Sequence, residues 1–253
     1  MLIPRRIVWT VGVTAILVVI VAVLIALMFE HARDGLYRAE CKNNVKAIAM
    51  ALHNYHDAYD CLPPAYTTNN EGRPAHSWRV LILPFFEDDV LTTLHGRYKF
   101  DEPWDGPNNS KLADQIPGIY TCPGFEHHFK QHGLQAPNVK RLANYVAITG
   151  PHTVFEGTGS LAVKMIPDGT SSTLMIAETS NRSVHWMQPD DISVDEFIAD
   201  LQQTESPNYA VHLGGGLHVG FADGSMRFIR SNTLIEILRA ICTIDGGEKI
   251  PDL

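Results

Sequence analysis

The chain has 253 residues, of which 45% are hydrophobic and 19% are charged, and its formal net charge at pH 7 is -8. This composition is that of a folded domain with a core, and the negative charge argues against a nucleic-acid partner, whose phosphates attract basic surfaces. No segment of low complexity and no internal repeat occurs, so one medium-sized domain is expected.

The N-terminal end is dominated by an uncharged apolar run of 23 residues, Ile7 to Phe29. At about 1.5 Å of rise per residue, a helix of this length spans roughly 34 Å and crosses a hydrocarbon core of about 30 Å. Because lipid offers no partner to backbone polar groups, the run is predicted to be a transmembrane helix. Residues 1–6, with Arg5 and Arg6, are interpreted as its cytoplasmic flank.

A cleaved signal peptide is the alternative interpretation of this run. Signal peptides have a shorter apolar region of about 7–15 residues, followed by small residues at the cleavage site. Here the run ends with Leu27, Met28 and Phe29, and Glu30 and His31 follow. The sequence therefore favours a retained anchor in the cytoplasmic membrane, with the soluble domain in the periplasm.

The helix is predicted to continue through residues 30–61 as an amphipathic part of the soluble domain. Apolar residues recur there at steps of four and three: Cys41, Val45, Ile48, Leu52, Tyr55 and Tyr59. This spacing places them on one helix face. Residues 62–253 are expected to form a β-rich domain packed against that face, so the fold class is α+β.

The disulfide state of the four cysteines is left open by the sequence. Cys41 and Cys61 would lie about 30 Å apart along one helix, whereas the Cα atoms of a disulfide lie within about 7 Å. Two full pairings remain: Cys41–Cys122 with Cys61–Cys242, or Cys41–Cys242 with Cys61–Cys122. Four buried free thiols are the alternative. Any disulfide would indicate a location outside the cytoplasm.

Short β-prone and helical segments follow the long helix, separated by turn residues. Strands are predicted at residues 78–86, 119–122, 144–149, 173–177 and 184–186, and a hairpin at 217–221 and 226–229. Helices are predicted at residues 87–98, 193–203 and 233–242. Ser193 and Glu196 form a capping box for the second of these, and Thr233 is the expected cap of the third.

Acidic residues in turns are the candidate ligands for a cation. Asp101, Glu102 and Asp105 lie in a loop at residues 100–109, and Ca²⁺ binds several carboxylate and carbonyl oxygens. A rigid structural loop pinned by Trp104 is the favoured interpretation of this segment. The weak candidate set for a calcium or glycan site comprises Asp101, Asp105, Asp168 and Asp223.

Histidines fall in two parts of the chain. His127, His128 and His132 lie in a polar segment without a further ligand at fixed spacing, so an exposed loop is favoured over a metal site.

The second histidine group is His212 and His218, which with Asp223 could serve as metal ligands or as an acid–base pair. The hairpin places Asp223 at its tip, so a structural role is favoured. No phosphate-binding loop, nucleophile elbow or paired-cysteine motif occurs, and Gly214-Gly215-Gly216 precedes a strand rather than a helix.

A series of short motifs between Cys41 and Gly247 resembles the PulG-like family of unknown function. The motifs are Cys41-Lys42-Asn43-Asn44, Leu52-His53-Asn54-Tyr55-His56, Pro63-Pro64, Trp78-Arg79-Val80, residues 100–109, Tyr120-Thr121-Cys122-Pro123, Asn144-Tyr145-Val146-Ala147, Asp168-Gly169-Thr170-Ser171 and residues 221–228. The resemblance implies a pilin-like fold, in which a long N-terminal helix packs on an antiparallel sheet. It also implies that no activity is established, because members of that family are described as secretion or transport components only on the pilin likeness.

The chain departs from that family at two places. The family usually begins with a Gly followed by Phe-Thr-Leu-Ile-Glu, the prepilin peptidase site, whereas here Ile7-Val8-Trp9-Thr10-Val11 follows two arginines. Neither cleavage by this peptidase nor filament assembly is therefore expected. The family also ends in a His-x9-Asp-Gly signature, and His212, Asp223 and Gly224 match it with one extra residue. Either Leu213 is an insertion or His212 is not the family histidine.

The leading functional hypothesis is a non-enzymatic, single-pass membrane protein that displays a pilin-like domain outside the cytoplasmic membrane. Its expected partners are the lipid bilayer and other envelope or secretion proteins, and no cofactor is expected. One alternative is an extracytoplasmic module that binds Ca²⁺ or a glycan through the four aspartates named above. The other is a metal-dependent hydrolase that uses His212, His218 and Asp223.

Overall fold

The computed structural model describes residues 5–125, 141–180, 184–206, 211–212 and 215–248, with side chains from residue 12 onward. The helices in these ranges are α1 (Arg5–Tyr59), α2 (Trp78–Leu81), α3 (Asp89–Arg97), α4 (Val194–Gln203) and α5 (Ile235–Cys242). The strands are β1 (Tyr66–Thr68), β2 (Pro74–Ser77), β3 (Leu142–Ala143), β4 (Tyr145–Thr149), β5 (Leu174–Glu178), β6 (Val184–His185), β7 (Ile192–Ser193), β8 (Gly216–Phe221) and β9 (Met226–Arg230). The α+β class predicted from the sequence is confirmed.

Helix α1 runs for 55 residues without a break and lies in two different environments. The large apolar side chains from Val13 to Phe29 are between 48% and 72% exposed. Cys41, Val45, Ile48 and Leu52, by contrast, are fully buried. By length and composition the apolar half is long enough to cross a membrane, as a membrane anchor or a signal sequence does.

A five-stranded sheet forms the centre of the domain, in the order β7-β4-β5-β8-β9. Strand β7 runs parallel to β4, and the other neighbours are antiparallel. The buried half of α1 packs on one face of this sheet. Helices α4 and α5 cover the other face, so the sheet lies between two helical layers. A long apolar helix on a mixed sheet of this kind is consistent with a pilin-like fold.

Successive side chains of β8 point to opposite faces of the sheet and therefore contribute to two different cores. Leu217, Val219 and Phe221 pack under α4 and α5, and the alternate positions His218 and Gly220 therefore face α1. A Cβ on Gly220 would lie 2.9 Å from Ile176 and 3.2 Å from Val45. The missing side chain thus allows α1 to approach the sheet closely.

Two predicted strands are wrong. Residues 78–86 form α2 and a 3-10 turn, Leu83–Phe86, because Ser77 caps the backbone N–H of Arg79 and Pro84 occupies the first turn of the second segment. Residues 118–120 form another 3-10 turn rather than the start of a strand. Short apolar runs fit a buried strand and a buried helical turn equally well, and periodicity does not separate them.

The other predicted elements are confirmed, with shifts of one or two residues at their ends. The Ser193–Glu196 capping box is present at the start of α4, and Asp88 caps α3. Thr233 is not the cap of α5, which begins at Ile235 after Leu234. Strands β1 and β2 form a hairpin that is not among the elements predicted from the sequence.

Candidate functional site

Four chemically active side chains from distant parts of the chain meet between α1 and the sheet. They are Cys41, Cys122, Glu178 and His212, hereafter the buried cluster. One ligand atom from each residue lies within 4.8 Å of the ligand atoms of the other three. Cys122 is 3% exposed and the other three are fully buried. Among the described parts of the chain, no other group of at least three such residues brings its ligand atoms this close to one another for a metal ion.

Each member of the buried cluster is positioned by a different element. Cys41 belongs to the buried face of α1, and Cys122 follows the 3-10 turn at residues 118–120. Glu178 is the last residue of β5, on the same face of the strand as Ile176. His212 lies on the segment that precedes β8.

The ring nitrogen Nε2 of His212 is the centre of the contacts within the buried cluster. It lies 3.1 and 3.2 Å from the two carboxylate oxygens of Glu178 and 4.0 Å from the Sγ atom of Cys122. The other ring nitrogen, Nδ1, is buried and has no hydrogen-bond partner among the described residues. All the polar contacts of this ring are therefore made through one nitrogen.

The charges of Glu178 and His212 stabilise each other. Burial alone would raise the pKa of Glu178, but His212 and His218 hold it well below its usual range. Burial alone would lower the pKa of His212, yet the Glu178 carboxylate raises it to about 10. Without another cation, Glu178 and His212 consequently form a buried ion pair.

The pKa values of the two thiols in the buried cluster shift in opposite directions. A hydrogen bond with Cys122 lowers the pKa of Cys41, although burial acts against it. Burial raises the pKa of Cys122 well above its usual range, and the nearby Glu178 carboxylate adds to this effect. The thiolate form is therefore more favourable for Cys41 than for Cys122.

Neighbouring residues hold the buried cluster in place. The Nδ1 atom of His218 lies 3.2 Å from Glu178 Oε2, and its backbone N–H donates to the same oxygen. Asn144 accepts from the backbone N–H of Cys122 at 2.8 Å, and its own N–H donates to the carbonyl of Tyr120. Hydrogen bonds of this kind fix the orientation of ligating groups.

The geometry differs from that of a nucleophile–base–carboxylate triad. A triad places the nucleophile on one ring nitrogen of the histidine and the carboxylate on the other. Here Cys122 and Glu178 both face Nε2 of His212. Convergence of all four ligand atoms on one buried point is the arrangement that a metal ion requires.

The aspartates proposed as cation ligands do not belong to the buried cluster. Asp101 and Asp105 are exposed, and Asp168 accepts the backbone N–H groups of Gly246 and Gly247. Asp223 is exposed at the hairpin tip and accepts from the backbone N–H of Ser225. The structure brings His212 and His218 together through Glu178, whereas Asp223 is not part of that contact.

The loop at residues 100–109 is held by its own polar side chains. Glu102 accepts the backbone N–H groups of Asn108 and Asn109. The Asn109 amide donates to the carbonyls of Lys99 and Pro103, and the backbone N–H of Trp104 donates to Ala75. This network agrees with a rigid structural loop. His127, His128, His132 and Gly214 lie outside the described residues.

All four cysteines are free thiols in the structure. Cys41 and Cys122 are neighbours in the buried cluster, whereas Cys242 lies in the core under the opposite face of the sheet. Cys41 and Cys242 therefore lie on opposite sides of the sheet. Cys61 is partly exposed near the end of α1.

A family model described as a protein of unknown function (DUF1559) matches residues 30–209. The chain belongs to this family. The matched range of the DUF1559 family includes Cys41, Cys122 and Glu178, and it ends shortly before His212. No curated protein and no solved structure matches the chain significantly. The family description names no function, so the function has to be argued from the chain itself.

Glu178 is the member of the buried cluster that sequence reasoning missed. The signal was nevertheless present, because Glu178 ends an apolar strand whose residues are all buried. A carboxylate at such a position needs a partner with positive charge or several donors.

Proposed function

We propose that this DUF1559 protein is a non-enzymatic, single-pass membrane protein that displays its folded domain outside the cytoplasmic membrane. In this proposal residues 1–6 lie in the cytoplasm and residues 7–29 span the bilayer. Residues 30–61 continue the same helix as part of the domain formed with residues 62–253. The domain has a pseudopilin-like role as a component of secretion or of the cell envelope.

The single observation that carries the proposal is the continuity of α1 across two environments. Its apolar half exposes every large side chain from Val13 to Phe29, whereas one face of its second half, with Cys41, Val45, Ile48 and Leu52, is fully buried. An exposed apolar surface of this size requires lipid or a protein partner. Because the helix does not break between the two halves, the anchor and the domain form one unit.

The absence of the prepilin motif supports a permanent tether rather than a filament subunit. A pilin-like helix needs a Glu near its N-terminus to pair with a neighbouring subunit inside lipid, where an unpaired charge is costly. The run from Ile7 to Phe29 contains no charged residue. The proposed partners are therefore the bilayer and other envelope proteins, bound through the domain surface.

Labelling of single introduced cysteines tests the topology. Asn70→Cys is at an exposed position in the loop between β1 and β2, and Ile3→Cys is in the N-terminal flank. In a Cys61→Ser background, a membrane-impermeant maleimide should label Asn70→Cys in intact spheroplasts and Ile3→Cys only after lysis. The three native cysteines that remain are buried.

The reverse labelling pattern would contradict the proposed orientation. Labelling of both positions before lysis in spheroplasts that retain a cytoplasmic marker protein would contradict the membrane span. Resistance of the chain to extraction by alkaline carbonate provides the matching control for membrane integration.

A further inference from the structure

We propose that the buried cluster binds one Zn²⁺ ion in a closed, four-coordinate structural site. This inference goes beyond the proposed membrane topology and does not depend on it. It rests on the position of four ligand atoms from four separate segments around one point in the core.

The ligand types select the metal. Two thiolates, one imidazole and one carboxylate form a set in which soft and borderline donors predominate. Such sets bind Zn²⁺ in tetrahedral geometry, whereas Ca²⁺ and Mg²⁺ require six or more oxygen ligands or several waters. Four protein ligands leave no open coordination position, which is typical of a structural rather than a catalytic zinc site.

The distances fit a zinc tetrahedron after small movements. Zinc lies about 2.3 Å from sulfur and about 2.0–2.1 Å from nitrogen, so neighbouring ligand atoms lie roughly 3.3–3.8 Å apart. The Glu178–His212 contact is 3.1 Å and the Cys122–His212 contact is 4.0 Å. All four ligand atoms lie within 4.8 Å of one another. Side-chain shifts of well under 1 Å would close the set around an ion.

The orientation of His212 agrees with the same geometry. Its Nε2 atom lies near Cys122 Sγ and the Glu178 carboxylate, while Nδ1 is buried without a partner among the described residues. A protonated imidazolium would leave a charged donor unsatisfied in the core, which is costlier than a neutral one. A metal ion at the centre replaces the proton on Nε2 and allows the ring to be neutral.

The surroundings support an ion of charge +2. Two thiolates and a carboxylate together carry a charge of about -3, so they neutralise the ion and leave one negative charge. A cleft of about 280 Å³ is lined by Arg38, Lys42 and Arg227 and also by His218, which is 4% exposed. His218 also contacts Glu178 and therefore orients the carboxylate, as supporting groups do in known metal sites.

A bound ion would link α1, which carries the anchor, to the rest of the domain. Cys41 lies on α1 and Glu178 ends β5, whereas Cys122 follows the 3-10 turn at residues 118–120 and His212 precedes β8. An ion held by all four would stabilise the packed half of α1 on the domain, because binding to the native state alone stabilises that state.

The test is metal analysis of the full chain, purified in detergent with its thiols kept reduced and supplied with zinc. We expect one zinc per chain after removal of free metal, and a higher melting temperature with zinc than after chelation. Co²⁺ in place of zinc should give the visible absorption of a four-coordinate ion and a thiolate charge-transfer band. Under denaturing conditions and in the presence of a chelator, all four cysteines should react with a thiol reagent, because all four are reduced.

Matched variants locate the ion. Cys41→Ser and the isosteric Glu178→Gln should lose stoichiometric zinc and the response of the melting temperature to it. Cys61→Ser removes a thiol outside the buried cluster and should retain both. Since the zinc and cobalt measurements use the unaltered chain, the proposal remains testable even if a variant fails to fold.

Two results would overturn the proposal. One is a folded chain with four reduced thiols that binds no zinc at a concentration that saturates ordinary structural sites. The other is a Cys41–Cys122 disulfide, found by peptide mapping of protein whose thiols were blocked at the moment of cell lysis. Neither result would affect the membrane topology.

Discussion

Replacement of Asp191 by alanine is expected to reduce the free energy of unfolding by about 3–5 kcal/mol, because it leaves a buried guanidinium without its carboxylate. The side chain of Arg79 is fully buried and that of Asp191 is 4% exposed, and Arg79 Nη2 donates to Asp191 at 2.6 Å. Asp191 also accepts from Trp78 Nε1 and from the backbone N–H of Ala147.

These contacts join three separate parts of the domain. Arg79 also donates to the carbonyl of Tyr145 through Nε, and its backbone carbonyl accepts from the hydroxyl of Tyr120. Loss of the carboxylate therefore removes the charge partner of Arg79 and leaves donors of Trp78 and Ala147 unsatisfied in the core.

Denaturant titration of the full chain in detergent, followed by tryptophan fluorescence, provides the measurement. Asp114→Ala is the matched control, because it breaks the Arg141–Asp114 pair, whose side chains are 44% and 61% exposed. Exposed pairs contribute about 0–1 kcal/mol. Equal losses of stability for the two variants would show that the Arg79–Asp191 pair is not a buried link in solution.

The second large effect is expected at the contact between α1 and the sheet. Leu52→Ala should lower the free energy of unfolding by about 2–5 kcal/mol, since it removes a buried side chain and leaves a cavity. Leu52 is fully buried in the core that α1 shares with the sheet.

Met50 offers a control two residues away on the same helix. Its side chain is 55% exposed, so Met50→Ala should change the stability by no more than about 0.5 kcal/mol. The same titration serves for both variants. A similar effect at the two positions would contradict the placement of the buried face of α1.

Sequence reasoning recovered the elements that rest on a strong local signal. The steps of four and three from Cys41 onward defined the buried face of α1, because a helix has a fixed period. The last predicted position is wrong, since Tyr59 is 59% exposed. The hairpin of β8 and β9 followed from Asp223-Gly224, and Gly224 has a φ of +79°, which an Asp-Gly turn accommodates. These features depend on neighbours in the chain.

Features that depend on distant contacts were not recovered. The run at residues 78–86 is apolar and β-prone, yet the Ser77 cap and the burial of Arg79 against Asp191 determine a helical turn there. The buried cluster likewise joins residues separated by up to 171 positions, from Cys41 to His212. Cys41, Cys122 and His212 were each considered alone, and only the packing of α1 on β5 and β8 brings them to Glu178.

The central claim is that α1 is a permanent tether, and the mass of the protein in the membrane tests it most directly. Protein extracted by detergent from carbonate-washed membranes should have the intact mass of the whole chain, 28.1 kDa, and should be missing from the soluble periplasmic fraction. A shorter, soluble product that lacks the apolar run between Ile7 and Phe29 would contradict the claim, because it would identify that run as a cleaved signal sequence.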